Sequence, residues 1–330
     1  MKKYTLKKSV FQRDEDVPAP PKRFTIDYRI ELNPAQYEAV TSVNGPHLII
    51  AGAGTGKTRT ITYRVAYLVE LGVKPESILL LTFTRRAAAE MLRRAALLLD
   101  SRCEKVAGGT FHSFANIVLR QYAPLVKFES SFTILDQGDA EDVVNLLRTT
   151  MKFDTRERRF PRKQTLFDIF SKAVNTQQTL KHVLKEEYPH FEEYQEDIAA
   201  LQKAYEHYKA KHNLMDYDDL LLHMRRLLRD HDEIRITLSN RYKYVMVDEY
   251  QDTNRMQAEI VKLLGAKHQN VMVVGDDSQS IYSFRGATIR NILDFPEEFP
   301  DCKIIKLEEN YRSTQPILNL TNEILRRARD

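Results

Sequence analysis

The chain has 330 residues, 42% hydrophobic and 29% charged, with 50 Lys and Arg against 46 Asp and Glu and a formal net charge of +4. That suffices for two domains of ordinary size, and the balance is too even to demand a polyanionic partner by itself. Two distant cysteines, Cys103 and Cys302, exclude a disulfide framework or a cysteine zinc site and fit a reducing compartment. The nine histidines show no metal-ligand spacing. No apolar run approaches the roughly 18 residues that a membrane span needs.

In chain order, residues 1–26 open with "MKKYTLKKSVFQRDEDVPAPPKR", basic and proline-rich, which predicts a flexible arm. The apolar runs "HLIIA" (47–51) and "SILLLTF" (77–83) follow, then "KYVMVD" (243–248), "NVMVVGD" (270–276) and "CKIIKL" (302–307). Continuous runs of this length suit strands buried on both faces. Their alternation with helical patterns predicts an α/β fold with a parallel sheet. Ile61, Val65 and Leu68 mark one such helix, with Gly72 as its stop. The middle differs: between 125 and 215 only "FTIL" (132–135) has strand character, and Ile198, Leu201, Tyr205 and Tyr208 repeat at helical spacing. The expected organisation is an α/β domain in two parts, 27–124 and 216–314, interrupted by a mostly helical insertion at 125–215 that carries the basic patch "DTRERRFPRK". "DYDDLLLHMRRLLRD" (216–230) is the helix that returns to the sheet.

"AGAGTGKT", Ala51 to Thr58, follows a strand and opens a helix. It departs from G-x-x-x-x-G-K-[ST] only in Ala51 at the first glycine position. Gly52, Ala53, Gly54, Thr55 and Gly56 can form a tight loop whose backbone N–H groups, with the positive end of the helix, face an anion. Lys57 would reach the β- and γ-phosphates and the Thr58 hydroxyl would bind magnesium. Phosphate-loop NTPases draw a second acid from another strand. In "YVMVDEYQD" Asp248 would hold Mg2+ and Glu249 would deprotonate the attacking water.

Together these stretches resemble the superfamily 1 DNA helicases of the UvrD/Rep/PcrA type over about residues 30 to 322. "LNPAQYEAV" (32–40) resembles the adenine-recognising Q motif, with Gln36 as the base-reading amide. "AGAGTGKTRT" matches motif I, including Arg59. "LTFTRRAAAEM" (81–91) resembles motif Ia, although Arg85 and Arg86 stand where Asn-Lys is common, and "GTFHSFA" (109–115) resembles motif Ib. "DEYQD" (248–252) matches motif II, "VVGDDSQSIYSFRGA" (273–287) motif III and "LEENYRST" (307–314) motif IV; "NLMDYDDLL" (213–221) is a further stretch of the family.

The resemblance implies a RecA-like ATP-binding domain that uses ATP and Mg2+. It places Gln279 as γ-phosphate sensor, Tyr311 on the adenine face and Arg312 on the γ-phosphate. It implies single-stranded DNA and its junctions with duplex as partners. Phe83, Tyr282 and Phe284 would lie against bases, with Arg285 beside them, and Thr84, Thr110 and His112 near the backbone. Phe284 stands where the family often carries Trp. The family's motor needs two RecA-like domains, and "QPILNLTNEILRRARD" (315–330) resembles the start of the second. The expectation is thus the ATP-binding half of a 3′→5′ helicase, cytoplasmic and nucleoid-associated, with weak turnover by itself. A non-motor ATP- and DNA-binding module and a helicase–nuclease subunit are the alternatives.

Overall fold

The computed structural model describes residues 21, 23–153, 160–276 and 287–328. Six strands form one parallel sheet: β1 (His47–Ala51), β2 (Ile78–Thr82), β3 (Ala107–Thr110), β6 (Tyr244–Val247), β7 (Val271–Gly275) and β8 (Lys303–Leu307). Their order is β3-β2-β6-β7-β1-β8, and β4 (Thr133–Ile134) with β5 (Leu214–Met215) makes a separate two-stranded pair. The four inner strands are buried on both faces because side chains alternate across a strand. Leu79, Leu81, Val245, Val247, Val271 and Val273 enter one core. Their alternates Ile78, Leu80, Tyr244, Met246, Met272 and Val274 enter the other.

Two strands differ from expectation. "AGGT" has no β-branched or aromatic run, since only Thr110 is β-branched, and glycine is poor in strands. It forms β3 all the same, because β2 offers a free edge (Leu80 pairs with Gly108) and the helix Arg85–Leu98 packs closely. A Cβ on Gly108 would lie 2.6 Å from Leu92 Cδ1. At the other edge β8 alternates, with Lys303, Ile304 and Lys306 exposed and Ile305 and Leu307 buried. Exposed lysines on an edge strand discourage pairing with another chain.

The helix Lys57–Glu70 buries Ile61, Val65 and Leu68, and Gly72 follows its end with φ +92°. Phe24 and Ile26, within the predicted arm, pack beside Tyr28, Tyr63 and Tyr67. Residues 1–20 and 22 of the arm, and 154–159 of the basic patch, lie outside the described residues. Between β4 and β5 run the helices Gln137–Thr150, Lys163–Thr176, Leu180–Glu187 and Gln195–Lys211. They share a core of their own, including Val144, Leu166, Ile169, Val183, Ile198 and Leu201. Among the described residues no helix is long and apolar enough to cross a membrane.

Where that helical core meets the sheet's helices, "MDYDD" builds a buried ionic knot. Asp216 caps the helix Tyr217–Asp230 and accepts from Lys209 Nζ at 2.6 Å and from Tyr205 Oη at 2.9 Å. The same ammonium lies 2.5 Å from Asp219. Burial alone would discharge Lys209, but the two carboxylates outweigh it and hold its pKa above the ordinary value. Burial, then Asp216, pushes Asp219 up to about 7. Removing one partner of a buried ion pair costs about 3–5 kcal/mol because a charge is left unmatched. Lys209→Met should lose that much in a urea melt, and a loss below about 1 kcal/mol would show that water solvates the acids.

Candidate active site

All six strands run the same way, so their carboxyl ends share one edge, where open α/β sheets bind ligands. The turn after β1 is the glycine loop. Gly54 (φ +84°) and Gly56 (φ +90°) are left-handed, a region that costs other residues about 1–2 kcal/mol. Thr55 closes the loop through its N–H and its hydroxyl, both donating to the Gly52 carbonyl. The helix Lys57–Glu70 starts directly below. Its first-turn N–H groups have no intrahelical acceptor, and they sit at the positive end of its dipole.

Across the sheet, β6 delivers the acids. Lys57 Nζ donates to Glu249 Oε2 at 2.9 Å, and Gln251 Nε2 donates to the same oxygen at 2.7 Å. Glu249 is left-handed (φ 50°), a strained backbone for a non-glycine residue and a frequent mark of functional sites. Asp248 is only 6% exposed, and its Oδ1 has no hydrogen-bond partner. Burial, then neighbouring Glu249, pushes its pKa up to about 7. Asp252 Oδ1 is likewise without a donor, and burial followed by Glu249 pushes that carboxyl up to about 6.

Unmatched carboxylate oxygens beside a hydroxyl, Thr58 lining the same cleft, are a hard-oxygen donor set that fits magnesium. Among the described residues no group of three or more His, Cys, Asp or Glu could hold a metal ion.

The side chains expected near a base are more occupied than the sequence predicts. Gln36 is buried, and both ends of its amide are used: Nε2 donates to the Thr55 carbonyl at 3.1 Å and Oε1 accepts from Asn33 N–H at 3.3 Å. The residue therefore ties its helix, Pro34–Thr41, to the phosphate loop. Arg59 pairs with Glu31 at 2.9 Å and lies over the Tyr63 ring. Tyr311 is 63% exposed, with Oη bonded to Asn33 Nδ2 (2.8 Å) and Glu309 (2.5 Å). Arg312 is exposed, its Cβ against Gly54.

Of the remaining candidates, Phe83, Thr110 and His112 line a cleft of about 790 Å³ together with Tyr217, Asp248 and Glu249. Phe83 is 40% exposed although it follows a fully buried strand. Thr84 and Thr110 spend their side chains as N-caps, accepting from Ala87 and Ser113 N–H. Burial lowers the His112 pKa to about 4, so the ring is neutral near pH 7. Its ring lies nearly perpendicular to that of Tyr217, with centroids 5.9 Å apart, and Tyr217 is 51% exposed. Tyr217 is not among the candidates read from the sequence, although it lines the same cleft as an aromatic between acids in "MDYDDLL". Gln279, Tyr282, Phe284 and Arg285 lie outside the described residues.

Gly45 and Gly54 share φ +84°, but a Cβ on Gly45 meets nothing within 4 Å, whereas one on Gly54 meets Arg312 Cβ and Asn310 Oδ1 at 2.8 Å. Gly45→Ala should cost about 1–2 kcal/mol from the backbone alone. Gly54→Ala should cost at least about 1 kcal/mol more through crowding. Equal losses in parallel denaturant melts would mean that the 310–312 turn does not press on the loop.

Most of the chain matches known proteins. The model of the UvrD/REP helicase N-terminal domain covers residues 32–300. Among curated relatives, the ATP-dependent DNA helicase PcrA of Staphylococcus epidermidis is 40% identical over 296 residues, 89% of this chain and 40% of that protein. PcrA of Staphylococcus aureus is 38% identical over 296 residues, again 89% of this chain and 40% of its own length. The chain thus spans about 40% of the length of the relatives it matches. With 269 residues under that family model and about 40% identity to these relatives, the chain belongs to the UvrD/REP helicase family, and its residues 32–300 correspond to the family's N-terminal domain.

Proposed function

We propose that the chain is the ATP-binding half of a motor that couples ATP hydrolysis to movement along single-stranded DNA and to unwinding at its junctions with duplex. The observation that carries this reading is the meeting of Lys57 and Glu249 across two strands, beside an Asp248 oxygen with no donor. Lys57 would leave Glu249 for the β- and γ-phosphates, which releases a carboxylate to take a proton from the attacking water. Asp248 and Thr58 would hold magnesium, whose charge offsets that building up on the phosphate oxygens. Backbone N–H groups of 52–58 would cradle the phosphates. Tyr311 would stack on the base, with Gln36 and Arg59 beside it, and Arg312 would meet the terminal phosphate, as the family pattern has it. Gln279 keeps its proposed sensing role by resemblance alone.

DNA would cross the cleft beside these acids. Phe83 and Tyr217 offer ring faces for bases, and by the family resemblance Tyr282 and Phe284 join them, with Arg285 next to them. Stacking of this kind is worth roughly 1–3 kcal/mol per base and tolerates any sequence. Thr84, Thr110 and His112 would lie along the backbone, the threonines through groups left over from capping. The relatives are named DNA helicases, which supports the substrate. The 3′→5′ direction and a second RecA-like domain after residue 314 come from the family pattern.

An arginine finger supplied by another domain can be worth about 10³–10⁵ in rate. The 330-residue chain should therefore bind ATP and turn it over slowly, with or without DNA. Lys57→Ala should abolish binding, and Glu249→Gln should bind ATP yet lose the residual hydrolysis. Hydrolysis that survives in Glu249→Gln, read by phosphate release, would remove Glu249 from the role of base.

A further inference from the structure

The turn after β8 grips the phosphate loop at its apex. Asn310 Nδ2 donates to the Ala53 carbonyl at 2.6 Å, and the Tyr311 N–H donates to the Gly54 carbonyl at 2.9 Å. The oxygen of the same Asn310 amide accepts from the N–H groups of Arg312 and Ser313, both at 2.9 Å. One side chain thus shapes its own turn with its oxygen and ties that turn to the loop with its nitrogen. An Asn side chain is suited to this geometry. Asp has no donor for the carbonyl, and Ser closes such turns more weakly and is too short to reach across.

The tie matters because of what flanks it. Tyr311 and Arg312 are exposed, so packing does not place them. Their position against the loop is set by the backbone of this turn, by the tip contact from Asn33 to Tyr311, and by the contact of Arg312 Cβ with Gly54. We propose that Asn310 is a positioning residue that fixes the register between the phosphate loop and the turn carrying Tyr311 and Arg312. Base and terminal phosphate of one nucleotide are then met together by groups that come from opposite ends of the chain. This rests on the nucleotide-site reading given above.

The test compares ATP with inorganic tripolyphosphate, each displacing a fluorescent ATP analogue from the 330-residue chain in magnesium. The ratio of the two affinities reports what the base side adds. Asn310→Ser and Asn310→Asp both keep an acceptor for the turn and lose the donor to Ala53. In both, ATP should bind about fivefold more weakly, the worth of one net hydrogen bond. Tripolyphosphate keeps the loop, Lys57 and the cation and loses only the share of Arg312, whereas ATP loses Arg312 and Tyr311 together, so tripolyphosphate should weaken less than ATP and the ratio should fall while the thermal midpoint holds. The extra charge of Asp acts on both polyanions and largely cancels in the ratio. An unchanged ratio in both variants, including equal weakening of the two ligands, overturns the proposal, because a merely structural residue acts that way. If neither ligand displaces the probe from the wild-type chain, the nucleotide site itself fails, and the role of Asn310 goes with it.

Discussion

The contact between Lys57 and Glu249 is the constraint on which the rest depends. A lysine only 10% exposed needs a partner, because an isolated buried ammonium is costly. Its partner arrives from a strand nearly 200 positions along the chain, brought beside it because the parallel sheet puts all carboxyl ends on one edge. From Glu249 the line of contacts continues. Gln251 donates to it, and the Gln251 Oε1 accepts from Asp276 N–H at the end of β7. The phosphate loop, the acidic strand end and the start of the next strand's loop therefore share one set of hydrogen bonds. A ligand that takes Lys57 disturbs all three.

Much of this was legible in the residues. Fully apolar runs such as "ILLLT" and "VMVVG" can be little else than inner strands, and glycines before Lys-Thr needed left-handed backbone that Gly54 and Gly56 supply. The acids of β6 were visible as an expense that demanded a cation. What escaped was set by third parties. β3 is a strand because a neighbour and a packed helix make it one, against its own propensity. The amide of Gln36 is turned inward because the Thr55 carbonyl and the Asn33 N–H lie within its reach, a fact of tertiary distance that no spacing encodes. Thr84 and Thr110 double as helix caps, so their chemistry is shared between fold and site.

The helical segment is joined to this edge by polar groups rather than by apolar area alone. Next to the Lys209 knot, Asp218 accepts from Asn175 Nδ2 at 2.7 Å. Asn175 in turn accepts from Asn254 Nδ2 at 2.8 Å. Asn254 caps the helix Arg255–Leu264 that follows the acids, and it bridges to Ala287. Buried polar networks are directional and depend on every member being satisfied, which fixes one relative placement where an apolar contact would tolerate several. Asn175, Asp218 and Asn254 line the same cleft as Phe83, with Tyr217 carried between Asp216 and Asp218.

The central claim is that the ends of β1 and β6 form one site for a nucleotide and a divalent cation together. Calorimetric titration of the 330-residue chain with ATP, in magnesium and again in excess EDTA, tests it most directly. Unmatched oxygens on Asp248 and Asp252 repel a bare triphosphate and attract it once a cation lies between them. Affinity should therefore be at least about tenfold higher in magnesium, a difference of 1.4 kcal/mol. Equal affinity in the two buffers, or tighter binding in EDTA, would contradict the account.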